Sequence, residues 1–149
     1  MLGKVKSIHF IGIGGIGMSG MAELLKNLGY KISGSDIQNS DRISHLMKIG
    51  IDINIGHRKE NISTHDLVVY SSAVKKDNCE INESIKKNIP VIKRAEMLGE
   101  LLKVKKNSIA VAGTHGKTTT SSMLGTILNE SELDPTIVVG GIVKGLNTN

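Results

Sequence analysis

A glycine-rich turn, Gly12-Ile13-Gly14-Gly15-Ile16-Gly17, joins an apolar run, Ile8-His9-Phe10-Ile11, to a segment whose apolar residues recur at helical spacing: Met18, Met21, Ala22, Leu24, Leu25 and Leu28. A buried strand, a tight turn and a helix in that order constrain the fold strongly. The strand period of two gives way to 3.6, and parallel pairing with helical crossovers is the arrangement that accommodates the change. The turn fits G-x-G-x-x-G, and Asp36 ends the next apolar segment where a ribose-binding acid is expected. Glycines let the backbone approach a diphosphate, and the helix N-terminus adds partial positive charge. The pattern indicates a nucleotide diphosphate and leaves open which nucleotide.

The alternation continues. The sequence predicts strands over 5–11, 30–36, 51–55, 67–70 and 90–92, with helices over 18–28, 41–49, 80–88 and 94–104. Gly29 and Gly50 follow the first two helices as C-terminal stops. In such sheets ligands lie beyond the C-terminal strand ends, near the point where strand order reverses. The turn at 12–19, the polar run from Ser35-Asp36 to Arg42, and Ser71-Ser72-Ala73 are therefore expected to share one crevice.

A second glycine turn, Gly113-Thr114-His115-Gly116-Lys117-Thr118-Thr119-Thr120, follows the apolar run 108–112 and opens another helical pattern. It departs from G-x-x-x-x-G-K-[ST], which needs Gly where Val111 stands, so it is a shorter variant. Its chemistry is still that of a triphosphate site. Backbone amides wrap the phosphates, Lys117 reaches the outer ones, and the Thr118 hydroxyl can ligate Mg²⁺. With one further strand over 136–139, residues 107–149 make a unit that looks cut short. The expectation is an N-terminal part of a larger protein, with domains at 1–104 and 107–149.

Composition excludes several classes. The chain has 149 residues, a net charge of +5 and 2% aromatic residues. Its lysines are scattered and base-stacking platforms are missing, so no nucleic-acid partner is expected. The single cysteine, Cys79, precludes an internal disulfide and a cysteine-based metal site. The apolar runs are strand-length, no cleavable leader is visible, and a cytoplasmic protein with no membrane insertion is expected. His9, inside the first strand, reads as structural.

Taken in order, 11–20, Gly34-Ser35-Asp36, Gly56-His57, Ser71-Ser72-Ala73, Arg94-Ala95-Glu96-Met97-Leu98 and 113–120 resemble the Mur ligases over essentially the whole chain. The resemblance implies an α/β fold, a Rossmann-like parallel sheet with helices on both faces, followed by the start of a P-loop ATPase domain. It implies an ATP-dependent, Mg²⁺-requiring ligase of peptidoglycan precursor synthesis that joins L-alanine to the carboxylate of UDP-N-acetylmuramate through an acyl phosphate. Gly14, Gly15, Ile16, Gly17, Met18 and Ser19 would approach the UDP diphosphate. Asp36 and His57 would face the uridine, and Ser71, Ser72 and Ala73 the sugar nucleotide. Gly113, Thr114, His115, Gly116, Lys117, Thr118 and Thr119 would hold ATP, with Lys117 catalytic and Thr118 the metal ligand. The chain departs from the family pattern at Cys79, where Pro is usual, and at Ile43, where Thr is usual. This stretch alone is expected to bind rather than catalyse.

Three other readings stay open at this point. They are a relative that attaches a recycled tripeptide to the same UDP-sugar, an NAD-dependent dehydrogenase using the first turn alone, and a non-catalytic nucleotide-binding module. The sequence also leaves monomer and homodimer open.

Overall fold

The computed structural model describes residues 2–104 and 107–139. In chain order the elements are β1 (Ser7–Ile11), α1 (Ile16–Asn27), β2 (Lys31–Asp36), α2 (Asp41–Lys48), β3 (Asp52–Ile55), β4 (Leu67–Tyr70), α3 (Cys79–Lys86), β5 (Val91–Lys93), α4 (Arg94–Leu102) and α5 (Lys117–Glu130). Single 3₁₀ turns occupy Leu2–Lys4 and Lys59–Asn61. All five expected strands of the first unit form, each within two residues of the expected bounds, and they pair in parallel in the order β3-β2-β1-β4-β5.

β1 is central and buried on both sides. Ile8 and Phe10 face a core with Met18, Met21, Ala22 and Leu25 of α1, Ile43 and Leu46 of α2, and Met97 and Leu101 of α4. Ile11 points the other way, into a smaller cluster with Val68, Ile81 and Ile62. Helices thus cover both faces, as a parallel sheet requires. Each fully buried aliphatic side chain contributes about 1.5–3 kcal/mol, so the larger cluster sets most of the stability.

Chain order and spatial order part company once. β1, β2 and β3 run outward to one edge, and the chain then returns through Lys59–Asn61 to lay β4 against the opposite side of β1. The reversal therefore lies between β1 and β4. The carboxylate of Asp66 secures the N-terminal end of that junction, accepting bonds from the amides of Lys6 and Ser7, each at 2.9 Å.

Residues 107–139 correct one expectation. The apolar runs 108–112 and 136–139 are not strands; α5 is the one regular element of the described part of this segment. A strand needs a ladder partner, and among the described residues neither run pairs with the other or with the five-stranded sheet. The Gly/Asn-rich stretch from 140 lies outside the described residues.

Candidate functional site

Beyond the C-terminal ends of the strands lies a crevice of about 560 Å³, within the usual size of ligand sites. Gly12, Gly14 and Gly15 form one wall, Asp36 to Ser40 with Arg42 and His57 a second, and Ser71, Ala73, Val74, Lys75, Asp77 and Asn78 a third. The reversal of strand order puts the loop after β1 beside the loop after β4. Ser71 donates its amide to Ile11 O at 3.1 Å, while Gly12, at φ 78°, leaves room for the Ser71 side chain. A Cβ on Gly12 would lie 3.1 Å from Ser71 Cβ.

The glycine turn is held from β2. Gly12 N and Ile13 N donate to Ser35 O at 2.8 and 3.1 Å. Gly14 N donates to Asp36 Oδ2 at 2.8 Å, and Arg42 Nε donates to Gly14 O at 2.9 Å. Met18 N and Ser19 N both bond Gly15 O. No described hydrogen bond uses the amides of Ile16 and Gly17, which are the unpaired donors of the first turn of α1 and the ones an anion can take. The side chains of Met18 and Ser19 have other work. Met18 is in the core, and the Ser19 hydroxyl donates to Ile16 O at 3.0 Å.

His57 lines the crevice and reaches back to a buried carboxylate. Its Nδ1 lies 3.1 Å from Glu80 Oε2 and 3.0 Å from Ser35 Oγ. Glu80 is fully buried and also meets Asn61 Nδ2 at 2.5 Å. Cys79 takes the first position of α3, where the missing amide of Pro would also be tolerated, and the Asn78 side chain caps the helix on Glu80 N at 2.8 Å. Cys79 itself is exposed.

Next to this group, His9 sits in the sheet with no exposure, its Nδ1 2.9 Å from Ser33 Oγ. Burial first, then the neighbouring His65 and His57, lowers its pKa to about 3. It is a neutral structural histidine, as expected.

Of the first-turn and crevice residues expected from the sequence, Gly14, Gly15, Asp36, His57, Ser71 and Ala73 line the crevice together. Ile16 and Gly17 open α1 directly after the lining residue Gly15 and are not part of the lining themselves. Ser72 is exposed and lies outside the lining. Arg42 closes the polar run expected in the crevice and lines it. Sequence reading missed Val74, Lys75, Asp77 and Asn78, whose place depends on how the loop after β4 folds back.

The second turn is built separately. Gly113 and Gly116 have positive φ (157° and 75°), and Gly116 caps α5. Lys117 Nζ donates to Gly113 O at 2.5 Å and to Thr114 O at 3.1 Å, which holds the ammonium against the carbonyls of its own turn. Among the described residues no group of three or more His, Cys, Asp or Glu could hold a metal ion. Nor is any helix there long and apolar enough to cross a membrane.

A parallel sheet with a glycine turn at its point of reversal defines the class: a doubly wound α/β protein of Rossmann-like layout. Residues 7–106 match the family model described as Mur ligase family, catalytic domain, and the chain belongs to that family. It is 56% identical over all of its 149 residues to the UDP-N-acetylmuramate--L-alanine ligase of Geobacter sulfurreducens, and equally so to that of Geotalea uraniireducens. It spans 32% of the length of each. Among solved structures, the UDP-N-acetylmuramate-alanine ligase MurC from Thermotoga maritima matches with a TM-score of 0.88 and 38% identity, covering 96% of this chain and 34% of that one. The UDP-N-acetylmuramate:L-alanyl-gamma-D-glutamyl-meso-diaminopimelate ligase from Neisseria meningitides matches with the same TM-score at 31% identity, covering 97% and 45%.

Proposed function

We propose that this chain is the nucleotide-binding part of an ATP-dependent ligase that joins L-alanine to the carboxylate of UDP-N-acetylmuramate. The observation that carries the reading is the convergence of Gly14, Asp36, His57 and Ser71 on one crevice at the strand reversal. They do so in a chain 56% identical to ligases of that name. The tripeptide-attaching relative is favoured less, since the solved example is 31% identical.

In this reading the amides of Ile16 and Gly17 and the α1 N-terminus hold the diphosphate. Asp36 keeps the turn in shape, and His57 with Ser71 and Ala73 fixes the nucleoside and sugar. The proposed division is a UDP-sugar domain over 1–104 and an ATP-binding unit from 107. There the turn 113–119 takes the triphosphate, and Lys117 leaves its own loop carbonyls for the β- and γ-phosphate oxygens. Its charge then stabilises the negative charge that builds up during phosphoryl transfer to the muramate carboxylate. The resulting acyl phosphate has a good leaving group, which the amine of alanine displaces. Mg²⁺ fits as a companion of bound ATP, since it prefers hard oxygen ligands and is held by phosphates with one or two protein groups. Thr118 is the hydroxyl offered here, and the ion would supply charge neutralisation at the phosphates. A cytoplasmic site of action follows from these substrates.

Calorimetric titration of the protein with UDP-N-acetylmuramate, ATP with Mg²⁺, and NAD tests the reading. Binding of the first two and no response to NAD is expected. Tight NAD binding with no response to the UDP-sugar overturns it.

A further inference from the structure

Glu80 carries more than packing requires. It sits in the first turn of α3 with no exposure, and among the described residues its ion-pair contacts are the imidazoles of His57 at 3.1 Å and His9 at 3.9 Å. A buried carboxylate is costly unless donors surround it. Ser35 Oγ donates to Oε2 at 2.6 Å, Asn61 Nδ2 to Oε1 at 2.5 Å, and Arg58 N to Oε1 at 3.4 Å. These come from β2 and from the chain that returns from β3 to β4, on the side of the second wall, so the carboxylate of α3, next to Asn78, ties the third wall to the second.

The proton on His57 follows from this arrangement. Ser35 has one hydroxyl proton, and it is spent on Glu80 Oε2. Nδ1 of His57 therefore faces two oxygen acceptors, Glu80 Oε2 at 3.1 Å and Ser35 Oγ at 3.0 Å. An unprotonated Nδ1 would set lone pair against lone pair, so the proton resides there. Nε2 is at the opposite side of the ring, and the His57 side chain keeps 17% exposure where it lines the crevice. His9 does not compete. Its Nδ1 is taken by Ser33, and 3.9 Å from its Nε2 to Glu80 is beyond hydrogen-bond distance.

We propose that Glu80 is a positioning residue of the nucleotide crevice: it fixes a proton of His57 on Nδ1, so that Nε2 is the ring nitrogen turned to the ligand and serves as its hydrogen-bond acceptor when the ring carries that single proton. The inference rests on the UDP-sugar reading for the identity of the ligand. The acceptor selects for a donor on the nucleoside, and both a pyrimidine imide N–H and a ribose hydroxyl have that chemistry. Glu80 thereby contributes to recognition without touching the nucleotide.

The test is a long-range ¹H–¹⁵N correlation spectrum of the intact protein without ligand, with His57 assigned from the His57→Gln variant. A protonated Nδ1 and an unprotonated Nε2 are expected; a proton on Nε2 overturns the proposal. Glu80→Gln keeps the side-chain volume but presents an amide to Nδ1. It should mix the two ring forms and weaken UDP-N-acetylmuramate binding about tenfold, with ATP binding unchanged. The double variant Glu80→Gln/His57→Gln should bind no more weakly than His57→Gln alone, and additive losses would overturn the coupling. N3-methyl-UDP and 2′-deoxy-UDP distinguish the two donor sources: whichever loses affinity for the wild type, but not for His57→Gln, carries the bond. If neither does, the acceptor role is wrong. Should Glu80→Gln not fold, the wild-type spectrum and the two analogues still decide. A wild type that binds no UDP-sugar removes the function reading and the recognition half of this proposal together, while the spectrum separately judges the proton on His57.

Discussion

Asp36 Oδ2 accepts the amide of Gly14 at 2.8 Å, so the acid that ends β2 and the glycine turn that follows β1 form one unit. The acid has a job before any nucleotide arrives. Asp36→Ala should lower unfolding free energy by about 1–2 kcal/mol and weaken UDP-sugar binding about tenfold or more, since it removes a charge-assisted bond that shapes the turn. Asp36→Asn keeps an acceptor and should lose less of both. Chemical denaturation and calorimetry measure the two quantities. A stability unchanged in Asp36→Ala would show that the turn holds its shape unaided.

Two glycines should respond oppositely to alanine. A Cβ on Gly34 would lie 2.5 Å from Ile13 Cδ1 and 2.9 Å from the carbonyl oxygen of Phe10, and backbone cannot step aside. Gly34→Ala should cost about 2 kcal/mol or more, because Ile13 is fully buried and folds across that spot. At Gly17 the atom in the way is the Arg94 guanidinium, an exposed and flexible end. Gly17→Ala should keep the unfolding midpoint and displace Arg94 from the rim of α1. Thermal melts of both variants decide; equal losses would contradict the contrast.

Acid should unfold the protein earlier than its carboxylates alone require. The pKa of His9 falls from the ordinary 6.5 to about 3 in the folded chain, chiefly through burial. The unfolded chain therefore binds more protons between those values, and stability drops as pH falls through that window. The loss sets in as pH falls through about 6.5, and is of order a few kcal/mol once pH nears 3. His65, also lowered by burial, adds to it with the same sign. Urea midpoints measured from pH 7 to 4 should fall steadily. His9→Asn, which keeps a polar group for Ser33, should flatten the slope, and an unchanged slope would acquit His9.

Lys117→Ala should leave the melting temperature unchanged and abolish alanine-dependent phosphate release by the full-length enzyme. The ammonium's described bonds go to its own loop, Gly113 O and Thr114 O, on an exposed segment, so folding gains little from them. Its proposed work is on the triphosphate, where a lost cation costs orders of magnitude in rate. Retained turnover would remove Lys117 from the reaction.

The sheet was legible because each strand and helix announces itself locally. Gly12, Gly29 and Gly50, all at positive φ, mark turns that periodicity alone would blur. The crevice was legible as far as its loops follow strand ends. Glu80 was not: as a residue in a helical pattern it reads as surface, and only the return of the chain through Lys59–Asn61 brings Asn61 and His57 onto it. The strands expected around the second turn failed for a related reason. A run such as Ile109 to Val111 states a preference, and a partner strand has to realise it.

The reversal between β1 and β4 also sets an order of assembly. When synthesis has delivered the chain as far as Ile55, β1, β2 and β3 can already pair, and the Asp36 to Gly14 bond can close over 22 residues. Neither Ser71 nor Glu80 has yet emerged. The loop of 59 residues that carries Asp66 back to Ser7 must shut before the opposite wall exists. A growing chain can therefore pair β1, β2 and β3 while its crevice still lacks a wall, so any ligand of that crevice can stabilise only the finished domain.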